Sequence, residues 1–151
     1  YREEGWRVAR IPSHVWHFCS RELKLYPLRK AELEEARQRA NLAYEEGGYR
    51  GYDRPFVQST GGAPSPVAVK LEYIERIMSA PEVLLNMRRC QYVEDVLATL
   101  NDEGKMVLEE CFWKPKRDAE LIAKNLNMSV RRLYYVKHEI VERLAIRWGM
   151  L

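Results

Sequence analysis

Apolar residues recur through this chain at spacings of three and four, and strict two-residue alternation is nowhere convincing, so the pattern predicts helices and no sheet. Val15, Phe18, Cys19 and Leu23 form one such ladder, and Leu33, Ala36, Ala40 and Ala43 a second. Pro27 stands between them, so a break or kink is expected at Tyr26–Pro27. Alanines at this spacing allow close approach of another helix, from the same chain or from a second copy. The stretch from Gly47 to Pro66 holds five glycines and three prolines and reads as a linker. Its Tyr49, Tyr52 and Phe56 suggest that it packs on something.

Beyond the linker the helical pattern resumes. Ser65 before Pro66 is a cap followed by a first-turn proline, opening a helix to about Met78 that carries Val69, Tyr73, Ile74 and Ile77. After Pro81 a longer helix carries Val93, Val96, Leu97 and Leu100. Asn101 or Asp102 ends it and caps the next, whose apolar face is Met106, Val107, Leu108, Cys111 and Phe112, stopped by Pro115. Asp118 can then cap a short helix bearing Leu121, Ile122 and Leu126. Ala123 marks a close crossing, Asn127 suits a left-handed turn, Met128 fills the angle, and Ser129 caps a last helix with Leu133, Val136, Ile140 and Leu144 inward.

The expected organisation is all-α: an N-terminal helical region over 1–46, a Gly/Pro-rich linker over 47–66, and a helical bundle over 67–151 with a helix-turn-helix at 118–145. On this reading, a fragment from about Pro81 to Leu151 would still bind DNA, more weakly than the full chain and with steep salt dependence.

The polar positions of the last helix carry the functional signal. With Leu133, Val136 and Ile140 inward, Arg131, Tyr134, Tyr135 and His138 point outward or sideways. Such a run suits neither core nor plain solvent. It suits the major groove of DNA, where arginine donates to guanine and tyrosine meets thymine methyls or phosphate. The candidate DNA-contacting set is Ser129, Val130, Arg131, Arg132, Tyr134, Tyr135, Lys137 and His138. Lys114, Lys116 and Arg117 flank the preceding helix as candidate phosphate contacts.

Charge sharpens this. The chain carries +3 overall, but Lys114 to Leu151 holds nine Lys/Arg against four Asp/Glu, a net of +5 that leaves −2 elsewhere. A basic end points to a polyanion.

Other chemistry has little support. The sequence has no Walker loop, GxSxG or HExxH motif, so no catalytic residue and no cofactor is expected. Glu34-Glu35 and Glu109-Glu110 read as solvated helix faces. Three scattered cysteines, Cys19, Cys90 and Cys111, suit a reducing compartment. His14, His17 and Cys19 lack a fourth ligand at zinc spacing, so no metal is expected. No apolar run approaches the roughly 20 residues of a membrane span, and the polar start Tyr1-Arg-Glu-Glu-Gly-Trp does not read as a signal peptide. A first residue other than Met suggests a natural start further upstream.

The stretch "LNDEGKMVLEECFW…DAELIAKNLNMSVRRLYYVKHEIVERLA" resembles region four of bacterial sigma factors. Together with "SRELKLYPLRKAELEEARQRA", the Gly-rich linker and "SPVAVKLEYIERI", the chain after Ser13 resembles the RinA-type phage transcriptional activators and the related ArpU-type regulators. The resemblance implies an activator of phage late genes for packaging and assembly. It would bind promoter DNA in the cytoplasm of a bacterial host, with RNA polymerase as partner and self-association possible. Glu32, Glu34 and Glu35 are candidates for the polymerase face. Tyr134 and Tyr135 stand where sigma-type modules carry Arg and Gln, so the target sequence does not transfer, and Asn127 replaces the usual turn glycine. The alternative is a small terminase subunit-like packaging protein, which also joins a helix-turn-helix to oligomerising helices.

Overall fold

Pro27 lies inside a helix that continues through it. In the computed structural model, which describes residues 10–43 and 66–151, helix α1 spans Ser13–Ala43 without interruption. It is followed by α2 (Pro66–Met78), α3 (Pro81–Thr99), α4 (Asp102–Leu108), a π-helical turn (Glu109–Trp113), α5 (Ala119–Asn125) and α6 (Val130–Arg147). The described residues are therefore all-helical, as the periodicity predicts. The linker expected over 47–66 lies outside the described residues except for Pro66, as does the cap at Ser65.

Of the break or kink expected at Tyr26–Pro27, the break does not occur. A proline inside a helix removes the hydrogen bond that residue 27 would donate to the Leu23 carbonyl, at a cost of about 3 kcal/mol. Here the indole Nε1 of Trp113 donates to that carbonyl instead, at 3.0 Å. The Tyr26 ring stacks on Trp113 with centroids 5.6 Å apart, and its hydroxyl donates to Glu94 at 2.8 Å. Burial and this bond to the Glu94 carboxylate push the Tyr26 phenol well above its ordinary range, so it stays protonated.

Two compact units divide the chain, and they do not follow the three blocks read from sequence. One joins the residues through Pro27 to Arg89–Leu151; the other is Leu28–Arg88. The first holds the main core, and the early part of α1 belongs to it. Ile11, Val15, Cys19 and Leu23 are buried with Val93, Val96, Val107, Leu108 and Phe112, and with the inward residues of α5 and α6. Contact, not chain order, defines a unit. The first ladder of α1, Val15 to Leu23, is therefore a wall of the C-terminal bundle.

Trp148 closes one side of this unit. Phe18 and Tyr92 both meet its ring edge to face, at 5.3 and 4.8 Å between centroids. Glu22, almost fully buried on α1, lies 3.3 Å from Arg89 Nε, which supplies the countercharge that a buried carboxylate requires.

The described residues of the second unit are thinly packed. Among its described residues only Ala36, Ala40 and Val69 are buried, while Leu28, Leu42, Val67, Leu71, Leu84, Leu85 and Met87 are exposed. Asn86 donates to Glu32 at 3.2 Å. Glu34 pairs with Arg37 on the helix surface.

Two further expectations change in the first unit. Met106 and Leu121 are exposed rather than on the core face. Met106 lies two residues from Leu108, about 200° around the axis. Leu121 falls off the ladder Ala119, Ile122, Ala123 and Leu126 that faces the core.

Candidate nucleic-acid interface

The geometry around α5 and α6 begins with their ends. α4 is capped by Asn101, whose side chain accepts from the Gly104 N–H at 2.8 Å. The helical run then widens into the π turn, closed by Lys114 N–H donating to the Glu109 carbonyl at 3.0 Å. Lys114 is extended, as a residue before proline prefers, and the helix stops there. Asp118 occupies the cap position of α5, but its side chain makes no capping bond.

The turn from α5 to α6 is a Schellman motif. Met128 N–H donates to the Ala123 carbonyl at 3.0 Å and Asn127 N–H to the Lys124 carbonyl at 3.1 Å. Asn127 takes the left-handed conformation this requires, with φ 55°, and is the one non-glycine residue to do so among the described residues. Met128 is partly buried against the core. Ser129 then caps α6, its hydroxyl accepting from the Arg132 N–H at 3.0 Å. A second Schellman motif ends α6: Gly149 has φ 74°, and Met150 N–H donates to the Ala145 carbonyl at 2.8 Å. Both ends of α6 are thus closed by local hydrogen bonds.

The expected inward residues Leu133, Val136, Ile140 and Leu144 are all buried. Val141 and Ala145 are buried as well, which the sequence pattern did not require. They lie on the side of the helix that Tyr134 and Arg131 occupy two to three turns earlier. On that side the open face of α6 lies in its first turns, where Tyr134 and Tyr135 are exposed and Val130 and Arg131 half-buried; Ile146 and Arg147 are exposed again at its end.

The candidate residues divide by their partners. Arg132 is held by Glu103 of α4 through Nε at 3.1 Å and a second nitrogen at 2.6 Å, and its guanidinium stands 5.4 Å from the Tyr135 ring centroid. His138 faces α1: its ring centroid is 6.0 Å from that of Trp16, and its Nδ1 is 3.7 Å from Glu142. It is set apart from the open face by this contact. Lys137 lies over the Phe112 ring at 5.4 Å.

Lys114 and Arg117, expected as phosphate contacts, share one carboxylate. Glu110 accepts from Lys114 at 2.5 Å and also from Arg117. The Lys114 ammonium first, and then the Arg117 guanidinium, hold the Glu110 carboxyl below its ordinary range. Lys116 is exposed between them.

These cations meet in an open groove of about 480 Å³ beside α6. Lys114, Lys116, Arg117 and Lys137 line it, with Tyr134 on the side of the open face. So does Lys24 of α1, which sequence reasoning missed. Nothing in its local sequence marks Lys24, because only the packing of α1 against the bundle brings it here.

His14 and His17 are exposed while Cys19 is buried, so the three do not converge. Among the described residues no group of three metal-binding side chains forms. Cys19 is a core thiol, pushed up to about 11 by burial first and then by Glu22. No described helix is long and apolar enough to cross a membrane.

Comparison with known protein families, with curated proteins and with solved structures finds no match to this chain.

Proposed function

We propose that the protein is a sequence-specific DNA-binding transcriptional activator of the RinA type, reading promoter DNA with the first turns of α6 as the recognition helix of a helix-turn-helix. One observation carries the reading. α6 is locked at its start by the Asn127 turn and the Ser129 cap, and there it leaves Tyr134 and Tyr135 exposed beside Arg131 and next to a groove lined by five cations. A recognition helix uses its N-terminal residues on base edges while surrounding cations hold phosphates. The later turns of α6 anchor it to the core through Ile140, Val141, Leu144 and Ala145. Arg132 is tied to Glu103 and His138 faces Trp16; base reading is assigned mainly to the exposed Tyr134 and Tyr135, with Arg131 on the same first turns of α6. Host RNA polymerase is the partner this role implies, in the cytoplasm of a bacterial host.

The test is binding to promoter fragments from the protein's own genome, followed by footprinting. Arg131→Ala should cost about 1–3 kcal/mol of binding to the footprinted site and much less on a scrambled duplex. Equal losses on both would make Arg131 a phosphate contact.

A second reading, a small terminase-like packaging protein, draws on the exposed Leu71, Leu84, Leu85 and Met87 of the other unit, which suit self-association. Mass measurement in solution separates the two: a large ring favours packaging, a monomer or dimer favours the activator.

A further inference from the structure

The groove beside α6 contains more positive charge than the protein itself neutralises. Glu110 balances one of the two cations it touches, and Asp118 is the acidic residue in the lining. Lys24, Lys116 and Lys137 line the same groove and form no ion pair among the described residues. They come from three separate pieces of chain: α1, the loop after the π turn, and α6. Like charges gathered around one depression create a positive potential that attracts an anion. The buried Ile122 and Leu133 also line the groove, while Lys24 and Lys116 are exposed. Tyr134 belongs both to the groove and to the open face of α6, so an anion seated here adjoins whatever α6 reads.

We infer that this groove seats a backbone phosphate of duplex DNA next to the bases read by α6, and that Lys24 makes the first helix of the chain part of the DNA interface. The inference rests on the DNA-binding reading and adds to it a contact from the opposite end of the sequence. Lys24 approaches the strand from α1, while Lys116 and Lys137 approach it from the bundle. The phosphate is thereby held from two sides, which fixes the register of α6 along the groove. Duplex DNA is favoured over a free anion because the groove is open and continuous with the face that carries Tyr134.

The experiment uses the full chain and two duplexes, the footprinted site and a scrambled sequence of equal length. Binding is measured across a range of salt concentrations for the parent protein, Lys24→Ala, Lys24→Gln and Arg131→Ala. Lys24 is exposed, and circular dichroism confirms that each variant is folded. Both Lys24 variants should weaken binding to the two duplexes alike and reduce the salt slope, by at most about 0.9, the value for one whole phosphate contact. Replacing phosphates one at a time with uncharged methylphosphonates should then reveal one position that weakens the parent more than it weakens Lys24→Ala. If the Lys24 variants keep the parent's salt slope while Arg131→Ala still discriminates between the duplexes, the groove has no DNA role and the DNA reading stands. If the parent chain binds neither duplex in a salt-dependent way, the DNA reading itself fails and takes this inference with it. Calorimetry with inorganic phosphate is the third arm. Saturable phosphate binding that Lys24→Ala abolishes, with DNA affinity unchanged, would assign the groove to a free anion and overturn the inference.

Discussion

The indole N–H of Trp113 donates to the carbonyl of Leu23 at 3.0 Å, in place of the backbone N–H that Pro27 lacks. Two residues 90 positions apart thus repair a helix that local rules would break. The repair also ties α1 to the turn that precedes Lys114 and Arg117, and so helps hold Lys24 near them.

Removing the indole donor should expose that dependence. Trp113→Phe keeps a ring against Tyr26 but leaves the Leu23 carbonyl short of a donor, at a cost of about 1–3 kcal/mol. Pro27→Ala restores the backbone N–H. Its effect should be more favourable in the Trp113→Phe background than in the parent. Urea unfolding of the four proteins gives the coupling, and additive effects would show that the bond contributes nothing.

Deleting the first helix should be worse than the sequence alone suggests. The fragment Pro81–Leu151 keeps α3 to α6 but loses Ile11, Val15, Cys19 and Leu23 from their core. Burial of Val15 and Leu23 alone is worth about 3–6 kcal/mol, against a total stability of about 5–15 kcal/mol for an ordinary domain. The fragment should therefore show no cooperative thermal transition and little DNA affinity. A sharp melt would mean that the bundle closes without α1.

Ala123→Leu should destabilise the bundle by roughly 1–3 kcal/mol, because Ala123 is only 2% exposed and its carbonyl anchors the turn to Met128. Thermal melting decides this. An unchanged melting temperature would mean that the space beside α5 can absorb an isobutyl group.

Glu110 should show its part in both stability and charge. Its carboxyl is held below the ordinary range in the folded state, so its contribution to stability is complete above the unfolded value and is lost as pH falls through the lowered one. Glu110→Gln should flatten that part of the acid melting profile. The same change frees Lys114 and Arg117, so the affinity for a scrambled duplex should rise, with a steeper salt dependence. A variant with the parent's affinity would leave Lys114 and Arg117 no role at the DNA.

Much of the bundle's local structure was legible in the chain. The ladder of α6, the left-handed Asn127, the Ser129 cap and the stop at Pro115 follow from interactions among residues a few positions apart. Such interactions depend on side-chain type and spacing, which a sequence displays directly. The misreadings share a different origin. Pro27 reads as a break because its remedy, Trp113, is remote. Leu121 and Met106 read as core because hydrophobicity does not say which side of a short helix is covered. Lys24 carries no signal because its neighbours in the groove belong to other elements.

By itself, then, the sequence determined where helices start and stop and which side of α6 is apolar, since hydrogen-bonded caps and periodic burial are settled within a turn or two. Only the tertiary structure decided that the first turns of α1 complete the bundle, that Arg132 is tied to Glu103, and that cations from three elements meet in one groove. Those outcomes depend on distances between segments far apart in the chain, which are set by how whole helix faces pack and not by any local preference.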